Sequence, residues 1–180
     1  MAQPTPDAVR NRDLLAVYSN DHLAASVGGI ELVRRMLDEH RATDHEGPLT
    51  QLLGELQEEK DSLETQMRAV GFPVRGYKQA LLWVGEKVSR VKLNGRLLTR
   101  SPLSDLLEFE FLASAVRAKR SGFETLRAVA EVEPRLDKAE FDRLIRQANR
   151  QYEWLTRTRR DVAAAVFGGT PEAVEEAADG

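Results

Sequence analysis

The chain has 180 residues, 31% of them charged and 42% hydrophobic, a mixture that fits one soluble helical domain able to bury a sizeable core. A net charge of −3 supplies no overall attraction toward nucleic acid or an anionic membrane. The absence of cysteine excludes disulfides, Cys-ligated zinc, iron–sulfur clusters and thiol catalysis, and a reducing cytoplasm is the simplest expected compartment.

Residues 1–11 contain two prolines and no signal-like apolar run, and they read as a flexible arm. The periodicity then predicts a first long helix over about 12–41. Leu15, Tyr18, Ala25, Gly29, Leu32, Val33 and Met36 share one face at 100° per residue. Gly47 and Pro48 punctuate a short loop, and a second helix is expected over about 49–70 with Leu49, Leu52, Leu56, Leu63 and Met67 on its stripe. Gly71 is placed to cap it and Pro73 to stop it.

The stretch 71–101 differs in kind. Seven basic residues face only Glu86, a local charge of +6, and Tyr77, Leu81, Val84, Val88 and Val91 suggest a short amphipathic helix over about 77–92. A crossover this long can run the height of a bundle and lets the second and third long helices lie parallel. The alternative layout is a five-helix up-down bundle.

The third long helix is expected over about 102–131, with Ser101 as N-cap and Pro102 in the first helical position. It is apolar on two sides. Leu103, Leu107, Phe111, Ser114, Ala118 and Thr125 form one face; Leu112, Val116, Phe123 and Leu126 form another. A helix with two such faces belongs between the bundle and something else, either the crossover helix or a second subunit. Asp137-x-x-Glu140 resembles a capping box and opens a last helix over about 137–167, with Phe141, Ile145, Ala148, Tyr152 and Leu155 inward. Gly168 and Gly169 end it, leaving 169–180 as an acidic tail expected to be disordered. The domain is therefore 12–168.

Two segments, NDHLAASVGGIELVRRMLDEH and LTQLLGELQEEKDSLETQMRAVG, resemble the first two helices of small bacterial ferritin-like proteins. KVSRVKLNGRLLTRSPLSDLLEFE is similar to the crossover and third helix of an uncharacterised bacterial branch of that group lacking the usual di-iron motif. The resemblance covers about 12–165 and rests on pattern and topology. It implies an all-α, ferritin-like four-helix bundle; active members of the superfamily are oxidases, ferroxidases, hydroxylases or iron stores.

The di-metal site of such bundles needs a Glu on each of two helices and Glu-x-x-His on the other two. Here His22, His40 and His45 follow Ser19, Leu37 and Ala42 by three residues, so no Glu-x-x-His exists. No catalytic residue, cofactor or metal is therefore expected. If an atypical carboxylate/His site for Fe or Mn exists, its residues are His22, Glu55, Glu59 and Glu108. His22 and His40 both fall on the first helix's apolar face, about 27 Å apart, where each is expected neutral, hydrogen-bonded and partly buried near a bundle end. Glu59, Lys60, Glu108, Lys119 and Arg159 also lie on apolar stripes. Burying such charges singly costs several kcal/mol. Either Glu59 and Glu108 meet a Lys or Arg where relatives carry metal, or Lys60, Lys119 and Arg159 snorkel to the stripe edges.

An arginine ridge on the last helix (Arg143, Arg146, Arg150 and Arg157, with Trp154 expected exposed beside it) is the candidate interaction surface. Its simpler reading is a solvated face satisfied by Asp142 and Glu153. No nucleotide-binding glycine loop, P-loop or nucleophile elbow appears. The sequence thus points to a non-catalytic interaction or scaffold bundle that self-associates, as a homodimer or with a protein partner, and away from nucleic acid and membrane. The alternative is a variant metal-dependent oxidoreductase or iron-handling protein.

Overall fold

The structure, a computed structural model, describes residues 9, 11–74 and 102–168. Four helices lie within these residues: α1 (Arg12–Glu39), α2 (Glu46–Ala69), α3 (Pro102–Val129) and α4 (Lys138–Phe167). No described helix is long and apolar enough to cross a membrane. The expected crossover helix (77–92), the Ser101 cap, the acidic tail and nearly all of the N-terminal arm lie outside the described residues.

Local chemistry explains the ends. At the end of α2, Gly71 adopts φ 76°, Phe72 N–H donates to Met67 O at 2.9 Å and Gly71 N–H to Arg68 O at 3.0 Å. This is the paired-bond glycine cap expected there. Helix α2 starts at Glu46, three residues before the expected boundary, because a proline in the first turn forfeits only a donor that has no helical partner. Asp137 caps α4, accepting from Ala139 N–H at 2.9 Å and Glu140 N–H at 3.2 Å. The reciprocal half of the box is missing: Glu140 turns to Arg143 and Ser62, and the Asp137 N–H is taken instead by Gln66 Oε1 of α2 at 2.8 Å.

Helix directions follow from the cross-helix bonds. Arg12 meets Glu133 just past the end of α3 and Arg35 meets Glu108 near its start, so α1 and α3 are antiparallel. Glu55 meets Gln151 and Gln66 meets Asp137, so α2 and α4 are antiparallel. The six-residue turn between α1 and α2 reverses the chain, and therefore α2 runs parallel to α3. Both a long crossover and an intervening fifth helix satisfy that relation.

The core consists of two apolar clusters. One holds Val33, Met36, Leu49, Phe109, Leu112 and Leu155; the other holds Leu23, Leu63, Met67, Phe123, Phe141 and Leu144. Between them, at mid-height, lies a polar layer. The α1 stripe is broader than expected: Leu23, Val27 and Ile30 are buried while Ala25 is exposed, because α1 packs on both α2 and α3. On α3 only the Leu112–Leu126 face enters the core. Leu103, Leu107 and Phe111 remain 43%, 39% and 49% exposed.

Candidate functional site: the mid-height polar layer

Three helices supply the layer. Glu59 of α2 is 2% exposed and sits one turn from both Leu56 and Leu63, which belong to opposite apolar clusters. Lys119 of α3 donates to Glu59 Oε2 and, at 2.6 Å, to Gln151 Oε1 of α4. The Gln151 amide nitrogen donates in turn to Glu59 Oε1 at 2.9 Å and to Glu55 Oε2 at 2.7 Å. Each polar atom of the Gln151 side chain is thus used, and both oxygens of Glu59 are satisfied. Burial pushes the Glu59 carboxyl up and the Lys119 ammonium down, each opposed by the other's charge and hydrogen bond.

Beside this network lies a cavity of about 20 Å³, room for a single water, lined by His22, Ser26, Glu59, Lys119, Gly122 and Phe123 among others. A Cβ on Gly122 would stand 2.6 Å from His22 Cε1, so this glycine makes room for an imidazole against the α3 backbone. Gly122 is therefore a packing device. His22 lies edge-on to Tyr18, with centroids 4.6 Å apart. Burial lowers its pKa, with Asp21 opposing.

The four candidate metal residues do not converge. Glu55 and Glu59 share Gln151, and His22 borders the same cavity as Glu59. Glu108, however, pairs with Arg35 at 2.8 Å, about three turns or roughly 16 Å along α3 from Lys119. A shared cation for Glu59 and Glu108 is thereby corrected: each has its own, because they sit at different heights. Among the described residues no group of three His, Asp or Glu is arranged to hold a metal ion. An ammonium occupying the space between Glu59 and Gln151 does not suit a donor set for iron or manganese.

The histidine expectations need correction. His22 is level with the polar layer, not a bundle end, and makes no hydrogen bond with a described residue. His40 lies just past α1, buried, with its Nε2 3.7 Å from Asp105 Oδ1 and without a hydrogen-bond partner among the described residues. It joins His45 and Phe109 in an aromatic corner, at centroid distances of 5.2 and 5.7 Å. Snorkelling describes Lys60, bonded to Asp61 and Glu64, and half-buried Arg159, which stands 3.7 Å from Glu110. It does not describe Lys119.

The arginine ridge is less uniform than its sequence. Arg143 is committed to Glu140 at 2.7 Å and to Gln147 at 2.9 Å. Arg146, Arg150 and Arg157 are exposed and form no ion pair with a described residue. Asp142 is bound by Arg127 at 3.0 Å and does not satisfy the ridge. Trp154 is half-buried, not exposed: at the edge of the α4 stripe it packs edge-on against Phe109, with centroids 6.1 Å apart.

Gln151 was missed by sequence reasoning. Its signal was a polar residue three after Ala148 and four before Leu155, on the inward stripe itself. Comparison of the chain with protein-family models, with curated proteins and with solved structures finds no match in any of the three.

Proposed function

We propose that this chain is a non-catalytic, ferritin-like helical bundle that works as a self-associating interaction or scaffold protein in the cytoplasm. The observation that carries this reading is the Lys119 bridge between Glu59 and Gln151: the interior carboxylate is neutralised by the chain's own cation, so the middle of the bundle serves cohesion rather than ligand capture. Supporting it are the parallel run of α2 and α3, the relation a ferritin-like topology requires, and the uncharged outer side of α3.

Metal analysis of protein expressed in iron- and manganese-supplemented medium and purified without chelator tests it. The expected result is trace metal only, with a melting temperature unchanged by added Fe(II), Mn(II) or chelator. A stoichiometric content, about two ions per chain as in di-metal bundles, would replace this reading with the iron-handling one.

A further inference from the structure

The outward side of α3 is a continuous strip opposite the core. Its N-terminal half carries large apolar side chains, Leu103, Leu107 and Phe111, all substantially exposed. Its C-terminal half carries small ones, Ser114, Ala118, Ser121 and Thr125, also exposed. No charge interrupts the strip over about six turns, or roughly 33 Å. The hydroxyls do not make it polar: Ser114 donates to Glu110 O at 2.9 Å, Ser121 to Arg117 O at 3.3 Å and Thr125 to Ser121 O at 3.0 Å. Their hydrogens are spent on their own helix and present mainly carbon outward.

We propose that this strip is a self-complementary docking surface on which a second copy of the chain lays its own α3 antiparallel, about a two-fold axis at Ser114. The proposal rests on the self-association stated above and specifies its surface. With the axis there, Leu103 falls over the partner's Thr125, Leu107 over the partner's Ser121 and Phe111 over the partner's Ala118, so every large side chain meets a small one. Glu110 and Arg117 lie together on one edge of the strip, three residues or more from the axis on opposite sides. The same two-fold brings Glu110 of each copy to Arg117 of the other. Arg117 is exposed and makes no ion pair with a described residue, and among the described residues Glu110 is approached only by Arg159, at 3.7 Å. A parallel pairing would set Phe111 against Phe111 and Arg117 against Arg117, which is less favourable in both shape and charge.

The absence of cysteine makes the test clean, since each introduced thiol is unique. Sedimentation velocity of the wild type across the micromolar range is expected to show a dimer. Ser114→Cys should oxidise to a disulfide-linked dimer. Leu103→Cys and Thr125→Cys should each fail to self-link but should cross-link when mixed. Ala118→Arg, an exposed change to a good helix former, should keep its helicity and melting temperature while weakening the dimer at least tenfold. Glu110→Arg and Arg117→Glu should each weaken it, and together restore it. A wild-type dimer with no cross-link through Ser114→Cys and no effect of Ala118→Arg would sink the α3 seam while leaving self-association standing. A wild-type monomer throughout would sink both. An intramolecular disulfide between Phe111→Cys and Val84→Cys in a monomer would assign the strip to the chain's own crossover and overturn the proposal.

Discussion

Two buried glutamates in this bundle move in opposite directions. Glu59, at mid-height, is raised by burial despite an ammonium against it. Glu133, in the α3–α4 loop, is pushed down to about 2 by Arg135, with Arg12 adding a further hydrogen bond. Both side chains are almost fully covered, 2% and 7% exposed. The difference is the partner. Arg135 grips Glu133 through two guanidinium nitrogens, at 2.8 and 2.6 Å, and its own charge stays about half in water. Arg12 then extends the clamp to Val70 O at 2.6 Å and stacks over Phe72, tying the start of α1 to the end of α2 and the α3–α4 loop. At the rim, arginine stabilises the carboxylate while keeping much of its own hydration; at mid-height both partners surrender water.

The contrast is broken most forcefully at Lys119. Lys119→Met leaves Glu59 buried without its cation and should cost about 3–5 kcal/mol by chemical denaturation, whereas Lys119→Met with Glu59→Gln should recover most of that loss. A double variant as unstable as the single would mean that the ammonium packs rather than neutralises.

The rim is the next largest. Arg12→Ala should cost about 1.5–3 kcal/mol, the range for hydrogen bonds to a charged group. Glu133 also predicts a direction with pH. Its folded pKa lies below the ordinary 4.5, so its contribution is present above 4.5 and is lost as pH falls from there toward 2. Glu133→Gln should therefore flatten the acid limb of a stability–pH curve. Glu59→Gln should not, since Glu59 takes its proton before the unfolded chain does. An acid limb insensitive to Glu133→Gln would contradict the clamp.

The smallest effect is expected at Gly122. Gly122→Ala gains helix propensity of about 1 kcal/mol but drives a methyl into His22, a crowding that costs about 1–3 kcal/mol. The net should be a modest loss that His22→Ala in the same chain converts to a gain. A loss unchanged in the double variant would place the crowding elsewhere.

Much of the frame was legible in the residues. Pro102 in the first turn of α3, Asp137 at the start of α4 and Gly71 after α2 are local chemistry, and local chemistry needs no knowledge of neighbours. The pairing of Glu59 with a cation was legible too, as a charge too costly to bury alone. Which cation it was, and that Gln151 would join it, depended on the relative heights of three helices, which no single-helix periodicity contains. The same limit misplaced Trp154: its angle on α4 marks a stripe edge, and only Phe109 on α3 makes that edge an interior. Gly47 and Pro48 misled for a different reason, because turn-forming residues are equally at home in a helix's first turn.

The parallel course of α2 and α3 bears on how the chain assembles. Helices α1 and α2 form one hairpin through a short turn, and α3 and α4 form another, so each half can zip from contacts close in sequence. Joining them requires bringing together halves whose contacts are distant in sequence, an entropic step paid late. Assembly is thus the docking of two locally built halves, and the Lys119–Glu59 bridge, with one partner in each half, can form only at that final event.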